Sequence, residues 1–359
     1  MSNKLILHFD ARNTLFVSDF NSRFTTEKAL NTYISGLAWG SIVEDQWQMS
    51  HQEISTDRPD SSLISFYKYM ENKMVRTPED RPKLREKLGK FTQENGIAFQ
   101  EIYFEHLEKL EWNYEYQPDL TVKGNCDKLY HYILPTFFQT ISHLYKNKRD
   151  FAIIIRTFGL DIPPILRAIK AFINGKHPMF PTEMNINLCD WQNELVMDTN
   201  NKEYIYKFKS CNDREIETTS DEEEIVNHWN SISGIAAVKD DFQYWCNHNF
   251  HYTASKPLWI NYKFEASDNI CHHIFFDDCI RPRDTDSIVH LRYLKTSRAD
   301  PSIPSNGVRN KCSVLDQQQT EKYLNINLVQ SDLLDCIRNN NYFIDKINNC
   351  EKNFSLFYF

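Results

Sequence analysis

Three short apolar runs in this chain each end on an oxygen-bearing or acidic side chain. Leu5-Ile6-Leu7-His8-Phe9 leads into Asp10. Phe151-Ala152-Ile153-Ile154-Ile155 leads through Arg156 to Thr157, and His273-Ile274-Phe275-Phe276 leads into Asp277-Asp278. Continuous apolar runs of this length predict strands buried on both faces of a parallel sheet. In open α/β sheets the chemistry sits in the crevice at the carboxyl ends of such strands. The three tips therefore predict an acidic, oxygen-rich site if they lie side by side.

Between the runs the periodicity changes. Residues 25–119 are rich in charge, aromatics and helix formers, and Phe99, Ile102, Tyr103, His106, Leu107 and Leu110 keep three/four spacing. This region reads as a mostly helical insert over 25–124. A long amphipathic helix is expected from Asp127 to Lys146, kinked at Pro135. Its basic end suits the helix dipole and leads directly into the second strand. Pro163 and Pro164 mark the start of a helix running to Ile173. Residues 174–249 read as a second, mixed insert. It holds a hairpin around Asp198-Thr199-Asn200-Asn201 and helices over Asp221–Ile232 and Ile235–Trp245. Pro257–Tyr262 and Ile326–Val329 are expected to be short strands, and Ser331–Lys346 a helix. The expected fold class is α/β, with a parallel-sheet core built from 1–24, 125–173 and 250–359.

Composition narrows the function. At 359 residues with 41% apolar and 14% aromatic content, the chain can bury a sizeable core. With a net charge of −8 and no long basic run, a nucleic-acid footprint is not visible and no nucleic-acid partner is expected. No stretch approaches a membrane span, and no export signal is legible. A cytoplasmic protein with free thiols is the resulting expectation for nine scattered cysteines. Cys246, His248 and His251 with Cys271, His272 and His273 fit no standard zinc spacing, and side chains entering a strand alternate faces.

The chemistry follows from residue types. A strand-tip aspartate such as Asp10 can attack phosphorus to form an aspartyl-phosphate. Asp10 with Asp277 and Asp278 suits Mg²⁺, which takes one or two carboxylates, phosphate and water. Thr157 and the N–H groups of the following helix would cradle phosphoryl oxygens. Lys256, followed by Pro257, is the candidate phosphate cation, ahead of Arg167 and Lys170.

This arrangement resembles the haloacid dehalogenase-like (HAD) superfamily, mostly phosphatases and phosphotransferases on a Rossmannoid core. Asp10-Ala11-Arg12-Asn13-Thr14 matches its first motif, Thr157 its second, Lys256-Pro257 its third and Asp277-Asp278 its fourth. The two inserts stand where that family places its caps. The resemblance implies a Mg²⁺-dependent enzyme acting on a small phosphorylated molecule. Asp10 would be the nucleophile, and the backbone carbonyl at position 12 would join Asp10, Asp277 and Asp278 around the metal. The departure is Arg12, which stands where family phosphatases carry the acid/base aspartate. Arginine stays protonated and cannot act as a base; His8, Asn13 and Asp19 are the nearby alternatives. Arg12 could instead pair with Asp277 or Asp278 in the metal's place. The competing expectation is a catalytically silent member that binds a ligand or protein partner through its inserts. Non-phosphate chemistry on the same aspartate is a third.

Overall fold

The structure is a computed structural model and describes residues 4–18, 24–209, 216–261, 270–281, 287–294 and 313–358. Asp19 and Arg283 lie outside them. The chain divides into two compact units. One comprises residues 1–15, 136–331 and 341–359; the other comprises 16–135 and 332–340.

The first unit is built on an eight-stranded sheet. From one edge its strands are Ile216–Thr219, Glu203–Lys209, Leu188–Asp198, Gly234–Asp240, Phe151–Thr157, Lys4–Asp10, Cys271–Asp277 and Leu328–Gln330. The last six run parallel, and the first two form an antiparallel edge. The fold is thus α/β with a mostly parallel central sheet, as the apolar runs predict. Leu5, Ile6, Leu7, Phe9, Ile153, Ile154 and Ile155 are fully buried, which is why their segments lack polar alternation.

Alternate residues of the first strand serve the two faces. Phe9 packs on Phe137 of the Pro135–Lys146 helix and Phe343 of the Tyr342–Tyr358 helix, with ring centroids 5.2 and 5.0 Å apart. His8 faces the other way, onto Trp229 of the Glu222–Ser231 helix. On that face Trp229 also meets Trp259, from a second, three-stranded sheet of Lys256–Asn261, Val289–Leu294 and Ser313–Val314.

Several expectations change. Residues 174–249 do not stand apart as an insert: they supply four strands of the central sheet. Ile235–Trp245 is not one helix but the strand Gly234–Asp240 and a short helix, Phe242–Asn247. Gly234 opens that strand at φ +92°, and a Cβ there would lie 2.1 Å from the Asn187 carbonyl oxygen. Asp127–Lys146 divides into the strand Leu129–His131 and a helix that begins at Pro135. Proline there starts the helix instead of kinking it, since the first-turn N–H needs no partner. Ser331–Lys346 likewise becomes two helices, Leu333–Arg338 and Tyr342–Tyr358.

The second unit is mostly helical, with helices Thr26–Leu37, Phe66–Met74, Arg81–Leu88, Gln100–Leu110 and Leu333–Arg338. It also holds a three-stranded sheet of Trp39–Val43, Gln46–Met49 and Ile64–Ser65, and a hairpin of Thr121–Lys123 with Leu129–His131. Its core includes Trp47 against Phe66 and Phe66 against Phe91. Among the described residues no helix is long and apolar enough to cross a membrane.

Candidate functional site

The chain leaves the Lys4–Asp10 strand, builds the sheet outward through Phe151–Thr157 and Gly234–Asp240, then returns to lay Cys271–Asp277 on the other side. The direction of winding reverses between the first strand and Cys271–Asp277. That switch point is where a parallel sheet leaves a crevice at its carboxyl edge. Phe9 pairs with Phe276 and Asp10 with Arg156, so Asp10, Thr157 and Asp277 end at one edge of one sheet.

Lys256 joins these tips. It is the first residue of the smaller sheet, anchored by its backbone N–H to the Ile288 carbonyl at 3.0 Å. Its fully buried ammonium donates to Asp10 Oδ1 and, at 3.0 Å, to Asp277 Oδ2. The same Nζ lies 5.1 Å from the centre of the Phe158 ring and 5.8 Å from that of Phe275. Asp277 Oδ1 accepts from the Cys279 backbone N–H at 2.9 Å, and Asp278 Oδ2 accepts from Asn13 Nδ2 at 3.0 Å.

The electrostatics are short of positive charge. Three carboxylates, Asp10, Asp277 and Asp278, gather around one ammonium. Burial raises the Asp10 carboxyl well above its usual range; Lys256 opposes the rise, and Asp277 and Asp278 add to it. Asp278 is pushed up to about 6, first by burial and then by Asp277. Burial works against the charge on Lys256, but Asp10, Asp277 and Asp240 together outweigh it and raise its pKa. Positive charge brought to the carboxyls, as a proton or a divalent cation, would relieve this.

The donor set fits such a cation in part. Asp277, Asp278 and Cys279 place ligand atoms within 4.8 Å of one another, and Asp10 stands outside that group. The two carboxylates suit a hard ion such as Mg²⁺. Cys279 does not, since burial holds its thiol in the protonated form. No ion pair links Arg12 to Asp277 or Asp278 among the described residues; Lys256 takes the cation's position instead.

Thr157 is present but differently used. Its Oγ1 accepts from the Gly159 N–H at 2.9 Å and lies 3.5 Å from Asp161 Oδ2. The following helix, Ile162–Ile173, carries Pro163 and Pro164 in its first turn. Two N–H groups expected in the phosphate cradle are therefore missing. His8 does not serve the site either. It is fully buried, its Nε2 lies 3.0 Å from His273 Nδ1, and burial holds its pKa well below 6.5. His272 and His273 project to opposite sides, onto the Ile326 carbonyl and onto His8 with Asn230.

Two residues that the sequence reading passed over hold the site in place. Arg156 is fully buried and grips Asp240 with two donors, one at 2.9 Å. It also donates to the Pro257 carbonyl at 3.2 and 3.3 Å. One guanidinium thereby locks the residue after Lys256 to the central sheet. An arginine inside an apolar run was the available signal, because a buried charge demands a partner.

Comparison with protein-family models, with curated proteins and with solved structures finds no match to this chain.

Proposed function

We propose that the chain is a HAD-like, Mg²⁺-dependent hydrolase or phosphotransferase acting on a small phosphorylated molecule. The observation that carries this reading is the Lys256 ammonium bonded to both Asp10 and Asp277, on adjacent strand tips at the switch point of the sheet. An aspartate nucleophile, a phosphate cation and a metal-binding acid need to be within one phosphoryl group of each other. In this reading the 16–135 unit stands, in sequence order, where the family places a cap.

Asp10 carries the nucleophilic oxygen. A new P–O bond forms to its carboxylate while the P–O bond to the leaving group breaks, and the leaving oxygen departs with the electron pair. The Lys256 donors orient the phosphoryl oxygens, and the Thr157 hydroxyl would join them by turning away from Asp161. Asp277 and Asp278 would hold Mg²⁺, assisted by the Arg12 carbonyl; the ion would supply positive charge at the developing oxyanion. Water then attacks phosphorus, the bond between Asp10 and phosphorus breaks with its electron pair returning to the carboxylate, and the water's proton stays on the released phosphate.

Arg12 favours a second reading. Position 12 supplies no general base, His8 is tied up in the core, and the Asn13 amide is no base. A phosphoenzyme that hydrolyses slowly, or a site that only binds, follows from this. Leaving-group release in Mg²⁺ separates the readings across wild type, Asp10→Asn and Arg12→Asp. Release by wild type that Asp10→Asn abolishes supports the enzyme. Release by Arg12→Asp alone supports the silent form, and activity retained in Asp10→Asn defeats the nucleophile assignment.

A further inference from the structure

An aromatic surface begins at the phosphoryl site and runs out to solvent. Phe158 directly follows Thr157, and the Lys256 ammonium lies against its ring. Trp245 stacks on Phe158 with centroids 5.0 Å apart and planes 9° from parallel. Phe242 meets Phe158 edge-on at 6.0 Å and is 47% exposed. Phe250 meets Trp245 edge-on at 4.9 Å. Leu160, in the loop after Thr157, is 71% exposed. Phe242 and Trp245 belong to the short helix after the Gly234–Asp240 strand, whose Lys239 pairs with Thr157. The rings therefore share the sheet edge that carries the carboxylates. Among the described residues the buried Trp245 indole N–H finds no acceptor.

Resting on the function proposed above, we infer that the substrate class is an aryl phosphate, with its ring laid against the exposed Phe242 and the half-buried edges of Phe158 and Trp245. The chemistry at position 12 points the same way. An alkyl alkoxide is a poor leaving group and needs the proton that an aspartate there would donate. A phenol ionises near 10, as tyrosine does, about six pH units more readily than water at 15.7. A phenolate leaves without that proton. The aromatic surface and Arg12 are separate features of the chain, and the same substrate suits both.

Phosphonates test recognition without turnover, because they lack the ester oxygen. Titration calorimetry in Mg²⁺ would compare 1-naphthylmethylphosphonate with methylphosphonate. The expected preference for the aryl ligand is about tenfold, the scale of one good aromatic stack with its buried area. Phe242→Ala and Trp245→Leu should bring the ratio of the two Kd values close to one. Phe242 is half-exposed, so its variant should fold, and an unchanged Tm would show that it does. A ratio near one in wild type, or a preference that survives both substitutions, overturns the aryl class. If neither phosphonate binds, the phosphoryl site itself is refuted and this inference with it.

Discussion

Asp278→Asn isolates the shortage of positive charge at the site. The Asp278 carboxyl is raised from 3.8 to about 6, chiefly by burial and then by Asp277. The folded chain therefore holds a proton more tightly than the unfolded chain. Between about pH 4 and 6 folding takes up that proton, and stability falls as pH rises through this window. At pH 7.5 the fold carries the whole penalty of an ionised Asp278. A shift of about two pH units at 1.36 kcal/mol each sets an upper limit near 3 kcal/mol. Partial exposure of the side chain reduces this to about 1–3 kcal/mol. The amide introduced by Asp278→Asn would keep a bond to Asn13 and carry no charge. The substitution should thus raise Tm at pH 7.5 in EDTA by about 2–10 °C, using the usual scale for a unit of this size. At pH 4 the gain should shrink to a small fraction. Added Mg²⁺ should raise Tm in wild type at pH 7.5 and have little effect on the variant, because a ligand that binds only the folded form stabilises it. Scanning calorimetry at the two pH values, with and without Mg²⁺, reads all of this. A variant no more stable than wild type at pH 7.5, or equally stabilised at both, would refute the charge argument.

Three further outcomes follow from the same geometry. Lys256→Met should cost about 3–5 kcal/mol at pH 8, where it strands buried carboxylates, and less at pH 5, below the value of about 6 to which Asp278 is raised; equal losses in urea unfolding at both would contradict the pairing. In the proposed enzyme, Arg12→Asp should speed breakdown of the phosphoenzyme about a hundredfold, the low end of general acid–base assistance, as read by steady-state release after the first turnover; an unchanged rate would leave position 12 without a role. His8, His272, His273 and His290 are held neutral by burial, His272 at about 4 and His273 at about 3. Their folded pKa values lie below 6.5, so their stabilisation is complete above pH 6.5 and is lost as pH falls toward 4. Each contributes up to about 1.4 kcal/mol per pH unit, and they outnumber the three carboxyls that burial raises, Asp10, Asp278 and Asp332. A urea midpoint independent of pH between 6.5 and 4.5 would count against this.

The strand tips were legible because a doubly buried strand leaves a continuous apolar run, and a carboxylate ending such a run has few other uses. Asp10, Thr157 and Asp277 reach one edge as their pattern implies. Lys256 was harder to place, since a lysine before proline carries little signal; only the docking of a second sheet brings it to Asp10. The strand Gly234–Asp240 escaped detection because Ile235-Ala236-Ala237-Val238 is too short to fix a period, and alanine favours helix elsewhere. Pairing with both the Leu188–Asp198 and Phe151–Thr157 strands overrides that preference. The Pro135 kink failed for a related reason: proline marks an interruption without saying which side of it is helical. The Arg156–Asp240 clamp joins residues 84 positions apart, beyond the reach of any local pattern.

The Lys4–Asp10 strand lies inside the sheet, between neighbours that come much later in the chain, and this bears on synthesis. Its neighbours start at Phe151 and Cys271. At a synthesis rate of about 5–20 residues per second, Leu5–Phe9 waits roughly 15–55 s before both sides can be covered. During that time one of the most apolar segments of the protein has unpaired backbone edges in solution. Provisional burial or a holding factor would protect that segment until Cys271–Asp277 has emerged.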